Sequence, residues 1–372
     1  MSARRDIVGV VVGESALRVW ALPSVVRLQR QLRLAGAVDG ADAAAARHVL
    51  LRADWVYDDA IVRGLAAADV DLALLAPGSD VVAVNVAAAD ASAAAALLAH
   101  GRAPSTARQV APIEVADGYN DALRKREPPY LMALTSEALP AIERRVFGGA
   151  YKGVTDLVTL YAWPRPARHV TRLCAEAGIT PNQVTSLSLL LVFAAMWLFW
   201  HGHYGLGLLA AWGMTFLDTV DGKLARVTVS STPFGNVFDH GIDLIHPPFW
   251  WWAWLVGLTA AGNALDRPGL VLTAIVAGYV LQRIEEGIFI AGFGIDMHTW
   301  QRFDSFFRLI TARRNPNLLI LSASVLVGRP GLGIVAVAWW TVASLLVHAV
   351  RLLQAAWARR RGPLRSWLAA PA

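Results

Sequence analysis

Residues 218–243 read Asp218-Thr-Val-Asp221-Gly222-Lys-Leu-Ala225-Arg226, then eight residues ending in Phe234, then Gly235-Asn-Val-Phe-Asp239-His-Gly-Ile-Asp243. Asp218 and Asp221 are three positions apart, and Asp239 and Asp243 are four apart. On helices each pair shares one face, because such residues lie one turn above the other. Pro233 and Gly235 stand between the pairs, where a chain leaving one helix can turn into the next. Two such helices packed side by side bring four carboxylates to one point.

Apolar segments flank this stretch on both sides. Four uncompensated carboxylates there would be very costly. Divalent cations are the natural compensation, and an all-oxygen ligand set favours hard ions, Mg²⁺ or Mn²⁺. The single Cys174 and the absence of a His cluster nearby argue against zinc. A solvated acidic loop between two membrane helices is the bland alternative. It leaves unexplained both the one-face spacing and the small residues Gly222, Ala225 and Gly235 between the acids.

The pattern Asp218-x2-Asp221-Gly222-x2-Ala225-Arg226-x8-Gly235-x3-Asp239-x3-Asp243 resembles the signature of the CDP-alcohol phosphotransferases, with every signature position filled. The likeness extends over about residues 150–355. It implies attack of an acceptor hydroxyl on the β-phosphorus of a CDP-alcohol with release of CMP, in phospholipid or inositol-phosphate-type synthesis. Two divalent ions would be held by Asp218, Asp221 and Asp239, with Asp243 sharing one. Asp243 would be the general base. Gly222, Ala225, Arg226 and Gly235 would border the nucleotide, the small residues leaving room for cytidine and Arg226 offering a fork for phosphate. A homodimer is also implied.

Composition agrees with a membrane protein: 372 residues, 56% hydrophobic, 17% charged and 15 Trp. The formal charge of +6 suits an anionic membrane surface or phosphorylated substrates. Nucleic-acid binding is disfavoured, since no basic patch interleaved with aromatics lies on a soluble segment.

Residues 1–130 read as a soluble α/β domain. Short apolar runs at 6–12, 48–53, 70–76 and 81–87 alternate with helical patterns at about 23–35, 58–68 and 90–100. This domain resembles a degenerate nucleotidyltransferase, with Asp54 standing where such enzymes keep a metal-binding acid. The glycine-rich phosphate loop is missing, since only Gly9 and Gly13-Glu14-Ser15 are present. Without a run of backbone N–H groups, a triphosphate has no cradle.

Residues 131–180 form a linker and a basic juxtamembrane helix. Thr180-Pro181 then opens the membrane part, as cap and first turn. Six transmembrane helices are expected within 181–355, at roughly 183–201, 204–221, 240–262, 269–293, 316–328 and 332–353. A basic tail, 356–372, follows. Lys and Arg crowd one set of loops, so both termini and the acid motif are expected to face the cytoplasm, in the cytoplasmic (plasma) membrane.

Arg313, Arg314 and Lys152 are candidates for binding a substrate phosphate, with positive-inside anchoring the alternative for the arginines. His240 and His246 adjoin the acids, but His240 falls off their face and His246 suits a hydrogen bond within the bundle. Glu285 and Glu286 lie within a span, with Arg283 as the natural partner of one. The donor is either CDP-inositol-like or CDP-diacylglycerol, and the acceptor a polyol or polyol phosphate. A non-catalytic metal-binding membrane scaffold, or a transporter, is the reading from a different class. A transporter predicts internal repeats, and none is visible.

Overall fold

In the computed structural model, which describes residues 7–39 and 45–369, the chain divides into two units. Unit 1 is Met1–Tyr151 with Ala225–Ser230, and unit 2 is Lys152–Leu224 with Ser231–Ala372.

Unit 1 contains β1 (Ile7–Val12), β2 (Arg18–Val19), β3 (Leu22–Pro23), α1 (Ser24–Leu34), β4 (Val38–Asp39), β5 (Arg47–Arg52), β6 (Trp55–Tyr57), α2 (Asp59–Ala67), β7 (Leu72–Leu75) and β8 (Val81–Ala87). It continues with α3 (Ala91–Leu98), β9 (Arg108–Val110), α4 (Pro112–Val115), β10 (Tyr119–Asn120), β11 (Lys125–Arg126), β12 (Leu131–Ala133) and α5 (Leu139–Gly149). Of these, β1, β5, β7, β8, α1, α2 and α3 fall where the apolar runs and helical periods place them, the other short elements being unannounced, while Asp6 lies outside the described residues. The main sheet runs β4-β1-β5-β8-β7-β9. Strands β4 and β5 flank β1 in parallel, and β8 is antiparallel to both β5 and β7. Six of the seven β8 residues are buried, as a strand covered on both faces requires.

Asn85 is the polar exception in β8. It is fully buried, donates to the carbonyls of Leu65 (2.7 Å) and Ala68 (2.9 Å), and accepts from Arg47 Nε at 2.9 Å. It thereby ties the end of α2 to the sheet. Asn85→Leu would strand two carbonyls and a guanidinium N–H, and should cost about 2–4 kcal/mol. Urea unfolding of the full chain, followed by far-UV circular dichroism, measures this, and an unchanged midpoint would refute it.

Unit 2 is helical: α6 (Pro164–Glu176), α7 (Pro181–Trp200), α8 (Tyr204–Val227, as far as Leu224), α9 (Pro233–Ala260), α10 (Pro268–Phe293), α11 (Arg302–Arg308), α12 (Arg314–Leu326) and α13 (Pro330–Arg359). Thr180 starts α7 with a capping box: its hydroxyl accepts from Gln183 N–H and its own N–H donates to the Gln183 side chain. Thr232 caps α9 by accepting from Gly235 N–H at 3.0 Å. Six spans are expected in this unit. Among the described residues, two helices, α7 and α13, are long and apolar enough to cross a membrane by length and composition. The longer α8, α9 and α10 carry acids or arginines, and α12, at 13 residues, reaches only about 20 Å.

Helix α9 begins at Pro233, one full turn and more before residue 240, so both Asp239 and Asp243 lie inside it. Pro247 and Pro248 continue it without the N–H groups that residues 243 and 244 would otherwise bond. Tyr279 of α10 makes good one of these losses by donating its hydroxyl to the Leu244 carbonyl at 2.9 Å. The core joins Phe199, Trp250, Trp254, Leu318 and Leu321. Its indoles are satisfied: Trp250 donates to the Val192 carbonyl (3.0 Å) and Trp254 to that of Pro330 (3.1 Å).

The described tail is anchored. Trp367 donates its backbone N–H to the Thr299 carbonyl (3.2 Å) and its indole N–H to Ser305 (2.9 Å), and Arg302 stacks on its ring.

Candidate metal centre

The acids arrive at the site from two helices of unit 2. Asp218 and Asp221 share one face of α8, and Asp239 and Asp243 share one face of α9. Carboxylate oxygens of Asp218, Asp221 and Asp239 come within 4.8 Å of one another, a spacing that a cation could bridge. Asp221 is the most buried, at 3% exposure. Its Oδ2 accepts from Thr185 of α7 at 2.6 Å, whereas its Oδ1 is buried without a hydrogen-bond partner. Such an orphaned oxygen costs free energy unless something positive meets it. Three converging carboxylates and one orphaned oxygen therefore fit a hard divalent ion.

Asp243, beside that trio, shares Arg314, the first residue of α12, with Asp218. Arg314 Nη2 donates to Asp218 Oδ2 at 2.5 Å, and Nη1 donates to Asp243 Oδ1. Sequence spacing gave no sign of this link, since Arg314 lies 96 residues from Asp218. Thr185 was likewise missed, although a hydroxyl on the next helix is a common partner for a buried acid.

Arg313 is engaged elsewhere. Its Nη2 donates to Glu286 Oε1 at 2.5 Å and lies 3.1 Å from His298 Nε2. Arg283 reaches the same Glu286 oxygen at 2.9 Å, the pairing expected for it. Ligand atoms of Glu286, His298 and His348 also lie within 4.8 Å of one another. The Arg313 guanidinium already contacts two of those three residues, so this cluster is compensated by arginine.

Asn315 is the second residue of α12. Its Nδ2 donates to Asp156 Oδ1 at 3.0 Å and to Thr159 Oγ1 at 3.3 Å. Asp156 also accepts from the backbone N–H of Val158 and Thr159 and from the Thr159 hydroxyl. Burial pushes the Asp156 carboxyl up, but the Arg308 charge and these hydrogen bonds outweigh it and hold the carboxyl below its ordinary range. A depressed folded-state pKa means the ionised form is favoured by folding. The stability it contributes is complete above the unfolded value of about 4 and is lost as pH falls through the folded value. Asp156→Asn should therefore flatten the loss of thermal stability below about pH 4.5 while lowering stability at neutral pH. Melting curves of both proteins from pH 3.5 to 7.5 check this, and parallel pH profiles would count against it.

The remaining candidates are placed as follows. Gly222 is half-buried on α8. Gly235 is a close-approach position, since a Cβ there would meet Asn182 Oδ1 at 2.8 Å. Ala225 and Arg226 group with unit 1, where Arg226 Nε donates to the Ala150 carbonyl at 2.9 Å. Lys152 is half-buried at the start of unit 2. His246 Nδ1 lies 2.6 Å from the Ile242 carbonyl and its ring packs edge-on to Trp250, a bundle role as expected. His240 is exposed. In unit 1, Arg52 grips both oxygens of Asp54, at 3.0 and 2.6 Å.

Residues 178–309 match the family model described as CDP-alcohol phosphatidyltransferase. The archaetidylinositol phosphate synthase of Pyrococcus horikoshii is 38% identical over 80 residues, 21% of this chain and 42% of that protein. The phosphatidylinositol phosphate synthase of Mycobacteroides abscessus is 32% identical over 116 residues, 30% of this chain and 52% of that protein. The bifunctional IPC transferase and DIPP synthase of Rubrobacter xylanophilus is 28% identical over 212 residues, 56% of this chain and 45% of that protein. The chain thus spans about half the length of the curated relatives it matches.

Proposed function

We propose that this chain, whose residues 178–309 belong to the CDP-alcohol phosphatidyltransferase family, moves a substituted phosphate from a CDP-alcohol to an acceptor hydroxyl and releases CMP. The observation that carries the reading is the meeting of Asp218, Asp221 and Asp239, with the buried Asp221 Oδ1 left without a protein partner. Two Mg²⁺ or Mn²⁺ ions bound there would neutralise the donor's diphosphate and stabilise the departing CMP.

The chain's own groups do the rest. Asp243 takes the proton of the acceptor hydroxyl as its oxygen bonds to the β-phosphorus and the bond to CMP breaks. At 39% side-chain exposure it is more open than Asp218, as a base that must meet an incoming alcohol should be. Thr185 fixes the rotamer of Asp221 and so aims its second oxygen. Gly222, Ala225 and Gly235 leave room for cytidine, and Arg226, Arg314 and Lys152 are the candidates for phosphate. Arg313 is a weaker one, given its ion pair with Glu286.

The remaining helices of unit 2 complete six membrane spans, with the acids and both termini on the cytoplasmic side of the plasma membrane. The names of two relatives, archaetidylinositol phosphate synthase and phosphatidylinositol phosphate synthase, support an inositol phosphate or similar polyol phosphate as acceptor. The bifunctional relative keeps a CDP-inositol-like donor in view beside CDP-diacylglycerol. A homodimer accompanies this reading.

The test is CMP release by the purified chain with Mg²⁺, using CDP-diacylglycerol or CDP-inositol and a panel of polyols and polyol phosphates. Metal-dependent release that is lost in Asp243→Asn supports the reading. Undiminished release in that variant removes Asp243 as base, and no release with any pair favours the metal-binding scaffold.

Unit 1 is proposed to have lost nucleotide chemistry. With both Asp54 oxygens held by Arg52, the acid has a resident cation. The full chain should show no CTP binding beyond what its acid motif accounts for, so Asp54→Ala should leave CTP affinity unchanged within about twofold. Isothermal titration of both proteins checks this, and a tenfold loss in the variant would restore a working nucleotide site.

A further inference from the structure

We propose that Arg314 is the acid site's built-in counter-cation, and that cation loading frees its guanidinium to bind the phosphate of the incoming acceptor. The inference rests on the reading of the site given above and adds an order of events to it.

Arg314 spans the motif from end to end. One arm of its planar fork holds Asp218 on α8 and the other holds Asp243 on α9, with the side chain only 13% exposed. A fork with two donors is suited to this bridging, whereas a single ammonium is not. A divalent ion held by Asp218, Asp221 and Asp239 would share the Asp218 carboxylate with Arg314, and two cations drawn to one carboxylate repel strongly. Loading the site therefore weakens the grip of Asp218 on the guanidinium.

The displaced fork has little freedom to leave. Arg313 before it is held by Glu286 and His298, and Asn315 after it is held by Asp156 and Thr159. Three consecutive residues thus tie the start of α12 to three different pairs of partners, and of these only Arg314 is tied to the acid site. Its side chain can swing while its backbone stays fixed. The fork then keeps Asp243 alone, and a largely buried guanidinium with one arm unpaired is costly, so the next phosphate to enter takes the vacated arm. Cation and phosphate binding are then positively coupled, and the coupling is reciprocal. Before loading, the two acids mask the arginine from anions.

The test uses the full chain in detergent micelles and reads binding rather than turnover. Mn²⁺ affinity is measured by electron paramagnetic resonance in the wild type, Arg314→Gln and Arg314→Lys. Inorganic phosphate affinity is measured by calorimetry with and without saturating Mg²⁺. Removing the competing cation should tighten Mn²⁺ binding about tenfold in Arg314→Gln. In the wild type, Mg²⁺ should raise phosphate affinity about tenfold, and Arg314→Gln should lose that rise.

Mn²⁺ bound no more tightly by Arg314→Gln overturns the proposal. So does a rise in phosphate affinity that survives in it, because the anion then sits on the metal alone. If Arg314→Gln does not stay monodisperse, Arg314→Lys carries the test. Its ammonium cannot bridge both acids, so Mn²⁺ should bind about threefold tighter and the coupling should shrink, while wild-type values in both overturn the idea. Absence of CMP release alongside the expected binding results would remove the assigned reaction and leave the counter-cation role standing.

Discussion

Under the proposed reaction, Asp239→Asn should lower metal-dependent CMP release by about a thousandfold or more, without loss of the fold. The substitution keeps the size and shape of the side chain and removes one charge and one hard ligand oxygen from the trio of Asp218, Asp221 and Asp239. Metal ions stabilise several kcal/mol of transition-state charge in such transfers, and about 4 kcal/mol corresponds to three orders of magnitude in rate. The effect on stability has the opposite sign. Three carboxylates so close repel one another, so neutralising one relieves the folded chain when no cation is bound. The expected signature is paired: activity lost, and the melting midpoint in EDTA equal to or above that of the wild type. Turnover within tenfold of wild type would remove Asp239 from the metal set. A lowered midpoint in EDTA would mean its carboxylate is held by protein partners rather than reserved for a cation.

The acid motif was legible in the sequence for a physical reason. A cation needs several oxygens converging on one point, and a helix delivers them only at spacings of three and four, so the demand is written locally. Capping was legible too, because Thr180 and Gln183 satisfy one another within a single turn. The four longest strands of unit 1, β1, β5, β7 and β8, announced themselves as apolar runs such as Val81–Ala87, whereas the two- and three-residue strands did not.

What escaped reading joins residues far apart in the chain. Arg314 was one of three candidate phosphate ligands, beside Arg313 and Lys152, yet its present partners are Asp218 and Asp243, and only the packing of α12 against α8 and α9 reveals them. The Leu244 carbonyl freed by Pro248 finds Tyr279, 35 residues on. Asn315 finds Asp156 across 159 residues. Arg226 fits the signature, but its Nε is spent on the Ala150 carbonyl, which no local pattern foretells. Length and apolarity alone mark only α7 and α13 as spans among the described residues, because helices such as α8 and α9 carry acids within their apolar lengths.

Gly257→Val should prevent unit 2 from folding, with a cost beyond about 4 kcal/mol. Gly257 lies on α9 where that helix crosses the end of α7. A Cβ at this position would collide with the Phe199 carbonyl oxygen and stand 2.9 Å from Gly202 N and 3.0 Å from Tyr204 Oη. Two of these atoms are backbone and cannot rotate away. Gly202 is itself in the left-handed region, at φ +74°, so the turn joining α7 to α8 has little room to adjust. The third atom is also committed, since Tyr204 donates its hydroxyl to the Trp254 carbonyl at 3.1 Å. Moving α9 outward instead would open the packing of Phe199 against Trp250 and Trp254, at the centre of the core. Every route of relief therefore breaks either a backbone turn or the aromatic centre. The measurement is the monodisperse yield from detergent and the melting midpoint, with Gly287→Val as control, because a Cβ at Gly287 meets nothing within 4 Å. The control should melt within a few degrees of the wild type, whereas Gly257→Val should yield no monodisperse protein. A Gly257→Val protein as stable as the control would mean that α7 and α9 do not cross this closely.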